Sequence, residues 1–214
     1  MINKLKQLNN NLLPGGLLEV LLKLQANSAF KDFYLAGGTA LTLQIGHRTS
    51  VDLDLFSSTE FKSGLVNKLE DKYQTISLSD NSIEVSIDSN KVFFFYFAFP
   101  LYKPIIIQDG LRLADPIDIG LMKLLALQGR SLKKDIIDLY YIDQEILPLE
   151  KLLLIFEKQY PKESFNAYSS IKTLLDKEEL EPQPMPQMKE PFDWNKAFQL
   201  VSSKLIKHIT SFIK

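Results

Sequence analysis

Residues 51–56 read Val-Asp-Leu-Asp-Leu-Phe. Strict alternation of apolar and acidic side chains fits a strand, in which residues two apart share a face. On this reading Val51, Leu53 and Leu55 enter a core, and Asp52 and Asp54 project together from the opposite face. Aspartate is depleted in strands, and two carboxylates this close repel unless a positive charge stands between them. A divalent metal is the usual remedy. The pair offers hard oxygen ligands of the kind Mg²⁺ takes while it also binds phosphates.

The residues upstream fit that chemistry. An apolar run, Phe33 to Ala36, ends in Gly37-Gly38, and a helical pattern follows from Thr39 with Gly46 as its stop. Glycines let the backbone approach a triphosphate, and the helix behind them presents unbonded N–H groups and a positive dipole end. Gly37, Gly38 and Thr39 are therefore candidate phosphate ligands. The polar turn after the helix carries His47, Arg48 and Ser50. Arg48 and Ser50 suit phosphate contacts or plain turn positions, with Arg48 also able to pair with Asp52 or Asp54. His47 reads as a turn residue.

Composition narrows the alternatives. The chain has 214 residues and no cysteine, which removes thiolate nucleophiles, disulfides and thiolate zinc sites. With two histidines, His47 and His208, an imidazole-rich zinc site is also disfavoured, so any metal is expected on oxygen. A formal net charge of -1 speaks against a globally basic nucleic-acid binder. With no long apolar span and no apolar leader at the N-terminus, the expected location is cytoplasmic, without membrane contact.

Along the chain the pattern is α+β. Helices are expected over 15–26 and 39–46, with strands at 33–36 and 51–56. The spacing of Ser57 and Glu60 forms a capping box for a helix over 58–72. Strands follow at 74–78, 83–88 and 91–99, with a short one near 111–113. Asp115-Pro116 marks a helix start for 116–128, and Ser131 suits the cap of a helix over 132–143. Helical patterns continue at 149–159, 163–176 and 193–213, with a proline-rich linker near 181–191. The boundary is placed between an N-terminal domain, 1–147, and a helical region, 148–214. The aromatic run Lys91 to Phe99 reads as core rather than a base-stacking platform.

The Gly-Gly turn followed by Asp-x-Asp resembles the nucleotidyltransferase superfamily. LAGGTALTLQIGHRTSVDLDLF is similar to the AbiEii/AbiGii-type toxin family within it, with Arg48, Ser50, Asp52 and Asp54 in order. DIGLMKLLALQGRSLKKDIIDLYYI is similar to that family's second signature, with Lys123, Arg130, Lys134, Asp135 and Asp138 in the matching places. The resemblance spans about residues 30–143. It implies a nucleotidyltransferase-like mixed sheet flanked by helices with an α-helical C-terminal part. It also implies one or two Mg²⁺ on Asp52 and Asp54, and nucleotide transfer from an NTP to a hydroxyl, with tRNA among the acceptors. A cognate antitoxin is the implied protein partner, in a toxin–antitoxin or phage-defence setting.

One departure stands out. The superfamily places a third carboxylate on a later strand, and here strand 91–99 carries phenylalanines. Asp135 is the expected substitute and Lys123 the expected neutraliser of phosphate charge, against a lysine that snorkels to solvent. Asp138 reads as a surface residue paired with Lys134 or Arg130. The competing reading is a catalytically impaired protein of the same fold that binds nucleotide or a partner protein.

Overall fold

The computed structural model describes residues 7–60, 73–79, 81–127, 129, 132–161 and 177–210. The expected helices at 58–72 (from residue 61 on) and 163–176, and the cap at Ser131, lie outside them. The chain divides into two compact units, 1–115 and 116–214. The sequence reading puts its boundary later, after two helices that the structure groups with the C-terminal unit.

The first unit is built on a seven-stranded mixed sheet. Its strands are β1 (Tyr34–Ala36), β2 (Leu53–Ser57), β3 (Gln74–Leu78), β4 (Ser82–Ile87), β5 (Asn90–Tyr96), β6 (Ile106–Gln108) and β7 (Leu111–Leu113). They lie in the order β3-β4-β5-β2-β1-β7-β6. β1 runs antiparallel to β2 and parallel to β7, while β2 and β5 are parallel. One face is apolar. Leu35, Leu55, Phe94 and Ile83 form a continuous row across four strands and are buried. Leu53, Val92 and Val85 form the next row. Burying a leucine or phenylalanine contributes about 1.5–3 kcal/mol, so this face anchors the strands that carry the acidic pair.

Among the described residues two α-helices belong to this unit: α1 (Leu17–Ala26), which packs near β7, and α2 (Gly37–Ile45), which packs on β1 and β2. α1 buries Leu17, Val20, Leu21 and Leu24, a helical stripe. Phe30 and Phe33 close on Phe94 at ring distances of 5.4 and 5.2 Å. Arg112 on β7 fastens the connection from α1 to β1. Its guanidinium donates to the carbonyls of Gln25, Phe30 and Phe33 at 3.0, 3.1 and 2.9 Å. Desolvation by burial lowers the pKa of this group, and Asp32 opposes the shift.

Two expectations change here. Val51 lies outside β2 and is 59% exposed, because the strand begins at Leu53. β6 is additional, joined to β7 by Asp109-Gly110 with φ of 52° and 78°. An Asp-Gly pair at positive φ is the favoured two-residue hairpin turn.

The second unit is helical: α3 (Pro116–Ala126), α4 (Lys133–Glu145), α5 (Leu149–Gln159), α6 (Lys177–Leu180) and α7 (Trp194–Thr210). α3 packs on α4 and α5, and α7 packs on α4 and α5. α7 buries Trp194, Ala197, Val201, Leu205 and Ile209, while α5 buries Leu149, Leu152, Leu153 and Phe156. Asp143 joins three helices: its Oδ1 accepts the Leu149 N–H at 2.6 Å and Lys204 Nζ at 2.7 Å. The proline-rich linker runs against α4 rather than free of it. The Lys133 N–H donates to Gln183 Oε1, Lys133 Nζ donates to the Glu181 carbonyl, and Phe192 packs on Tyr140 and Tyr141.

Candidate active site

β1 passes into α2 without a loop: Ala36 ends the strand and Gly37 begins the helix, two residues before the predicted start. Gly37 has a φ of +65°, a conformation side chains rarely adopt, and the Asp54 carboxylate fills the space where its β-carbon would stand. The register explains this proximity, because Asp54 lies directly opposite Ala36 across the β1–β2 pair. At Gly38 the same space is filled by the Arg48 guanidinium, with Ser50 Oγ beside it. Gly37 is thus fixed by its backbone as well as by an acid, whereas the neighbour of Gly38 is the end of a long basic side chain.

A second set of bonds fixes the loop that follows α2. Thr39 Oγ1 donates to the Asp52 carbonyl and hydrogen-bonds Ser50 Oγ at 2.8 Å. Arg48 is 3% exposed and its Nη1 donates to the Thr49 carbonyl at 2.9 Å. His47 is equally buried, so neither residue is the solvated turn position that its sequence suggests. Asp52 and Asp54 remain half-exposed. The N-cap residue Ala36 supplies no side-chain cap to α2. The first-turn N–H groups of Gly37, Gly38 and Thr39 therefore offer an anion site next to a carboxylate pair.

The donor set fits Mg²⁺. Asp52 and Asp54 are hard oxygen ligands with solvent access, and Gly37 leaves room for Asp54 alone. Two protein carboxylates, with water and phosphate completing the shell, is a usual arrangement for this ion. Among the described residues no group of three or more His, Cys, Asp or Glu forms a self-sufficient metal cage.

Strand pairing settles which residues share the acidic face. The row through Asp54 continues to Phe93 on β5 and then to Glu84 on β4. Asp88 falls in the β4–β5 turn and lies 3.8 Å from Lys23. The aromatic run is only partly core. Val92 and Phe94 are buried in the apolar face, whereas Phe93, Phe95, Phe97 and Phe99 are half-exposed. Alternation in a strand with both faces aromatic hides this division from the sequence.

In the second unit Lys123 does not snorkel. Its Nζ lies 2.6 Å from Asp135 Oδ1 and 2.6 Å from Asp138 Oδ2, and all three residues are buried. Asp138 is fully buried rather than a surface partner of Lys134 or Arg130, the latter outside the described residues. Two acids one helical turn apart on α4 and a lysine from the apolar helix α3 meet in this triad.

The mixed sheet, the strand-to-helix Gly-Gly junction, Asp54 on β2 and Asp52 just before it define a nucleotidyltransferase fold. A family model described as "Nucleotidyl transferase AbiEii toxin, Type IV TA system" matches residues 19–96. The uncharacterized protein aq_aa25 of Aquifex aeolicus (strain VF5) is 34% identical over 159 residues, 69% of this chain and 76% of that protein. The chain belongs to the AbiEii nucleotidyltransferase toxin family. Two solved structures share the fold. JHP933 from Helicobacter pylori is 17% identical with a TM-score of 0.53, covering 91% of this chain and 90% of that one. MenT4, a nucleotidyltransferase toxin from Mycobacterium tuberculosis H37Rv, is 14% identical with a TM-score of 0.56, covering 90% of this chain and 81% of that one. No helix among the described residues is long and apolar enough to cross a membrane.

Proposed function

We propose that this chain transfers a nucleoside monophosphate from an NTP to a hydroxyl, with tRNA as the acceptor to test first. It would act in the cytoplasm, as the toxin of a pair whose antitoxin restrains it. The observation that carries the reading is the Gly-Gly junction. There a helix N-terminus, the Asp54 carboxylate and the Arg48 guanidinium converge within one turn of backbone.

The acceptor oxygen forms a bond to the α-phosphorus, the bond from that phosphorus to the bridging oxygen breaks, and pyrophosphate leaves. Its charge is met by the N–H groups of Gly37, Gly38 and Thr39 and by Arg48, with Ser50 as a further donor. Asp52 and Asp54 would hold Mg²⁺, which neutralises charge on the phosphates when bound. The family pattern assigns Lys123 and Asp135 to the same reaction, Asp135 as acceptor of the hydroxyl proton. The triad that ties Lys123 to Asp135 supports a defined position for that carboxylate.

The test is transfer of label from α-³²P-NTPs to RNA and to protein. Asp52→Ala and Asp54→Ala should each reduce transfer at least about 100-fold, the order expected on losing a preorganised electrostatic group. Full activity in either variant overturns the mechanism. Tight NTP binding by the wild type without any labelled product would favour the impaired-enzyme alternative, to which the phenylalanines of β5 lend support.

A further inference from the structure

The acidic face carries an aromatic stack that the nucleotide-binding residues do not use. Tyr34, Phe56 and Phe95 form one row across β1, β2 and β5. Their rings stack in sequence, Tyr34 on Phe56 at 6.2 Å and 25°, then Phe56 on Phe95 at 4.8 Å and 26°. Phe93 continues the stack from Phe95 at 5.9 Å and 9°. Phe93 is half-exposed and is the direct cross-strand neighbour of Asp54. The stack therefore ends beside the acidic pair, on a ring with a nearly parallel neighbour behind it.

Orientation within the sheet selects an occupant. Asp54 has Ala36 and the glycine junction on its β1 side, and Phe93 on its β5 side. If the triphosphate rests on the glycine junction, pyrophosphate departs toward β1. In phosphoryl-type transfer the attacking and leaving oxygens are roughly in line. The acceptor must then approach from the β5 side, over Phe93. A flat aromatic ring there suits a base, because every base has a π-face and stacking on aromatics is sequence-tolerant.

We infer that Phe93, backed by Phe95 and Phe56, is the stacking seat for the terminal base of a single-stranded nucleic-acid acceptor. This rests on the nucleotidyl-transfer reading and deepens it. The ring stands where the third carboxylate of the superfamily was expected, so this position would serve acceptor binding rather than proton transfer.

The probe is a fluorescein-labelled single-stranded rA8, titrated into the full-length protein without NTP and followed by anisotropy. Phe93→Ala should weaken binding roughly 5- to 150-fold, the range for losing one base–aromatic stack. Phe93→Leu, which keeps the apolar packing, should weaken it too, and Phe93→Trp should restore it. An rA8 with an abasic 3′ end should bind the wild type as weakly as intact rA8 binds Phe93→Ala. Unchanged affinity in Phe93→Ala and Phe93→Leu, or no binding of rA8 to the wild type, overturns the inference. An effect of Phe93→Leu on the KM for NTP alone also overturns it, placing the donor base there instead. Label transfer abolished by Asp52→Ala with rA8 affinity insensitive to Phe93 would sink the stacking seat and leave the transferase reading standing.

Discussion

Lys123 Nζ and Asp138 Oδ2 meet at 2.6 Å in the interior of the helical unit, where Asp138 is 0% exposed. Asp135 holds the other side of the same ammonium at 2.6 Å. One cation thus faces two buried carboxylates, and removal of the cation leaves both without it. Breaking a buried pair from one side costs about 3–5 kcal/mol. Lys123→Met should lower the urea midpoint accordingly. The triple variant Lys123→Met, Asp135→Asn, Asp138→Asn should recover much of the loss. If the triple is less stable than the single, the interaction is not the charge triad described here.

Gly37 is predicted to tolerate no side chain. Gly37→Ala combines a disfavoured φ with an encounter with Asp54, and should cost at least about 1–3 kcal/mol together with most of the activity. In an Asp54→Ala background the stability cost should shrink, since the carboxylate that meets the new methyl is gone. A double-mutant cycle by chemical denaturation measures that coupling.

Arg112→Met removes the donors to three backbone carbonyls that join α1 to β1. Hydrogen bonds to charged groups contribute about 1.5–3 kcal/mol each at most, and three bonds from one guanidinium fall short of their sum. A loss of about 2–4 kcal/mol is expected. Hydrogen exchange should then report faster opening at Phe30 and Phe33 than in the helical unit. Uniform acceleration across both units would argue against a local clamp.

Lys204 supplies a pH-dependent contact. Burial alone would lower its pKa, but hydrogen bonds and attraction from Asp143 and Glu150 raise it above 10.5. A raised folded-state pKa means that the stabilisation is complete below 10.5 and is lost as the pH climbs through the folded value. Lys204→Met should therefore lower Tm at neutral pH, and its deficit relative to wild type should narrow above pH 10.5. A deficit that stays constant into strong alkali would place the effect in packing instead.

Part of this molecule is legible in its sequence. The period-two pattern separates the buried Leu53 and Leu55 from the half-exposed Asp54 on β2, and the Gly-Gly signal marks the junction, where the φ of Gly37 suits only glycine. Burial of Arg48 and His47 is not legible, since nothing local distinguishes a polar turn in solvent from one that is covered. The face that Phe93 occupies is hidden for a different reason. In KVFFFYF every position is apolar or aromatic, so alternation carries no contrast, and the face of each ring follows only from pairing with β2. Lys123 stands on α3 and its acids on α4, so spacing within one element does not report that they meet. Asp109-Gly110 is a hairpin signal that the sequence does carry.

The bond from Thr39 to the Asp52 carbonyl ties the start of α2 to the strand that brings in the acids. With Ser50 joined to the same hydroxyl, the Gly-Gly junction and the segment that carries the acids are tied together in the folded chain. The conformational entropy of bringing them together is then lost when the chain folds, not when nucleotide arrives. Nucleotide association with this half of the molecule should accordingly proceed without an ordering step, its rate set by diffusional encounter and desolvation rather than by rearrangement of the loop.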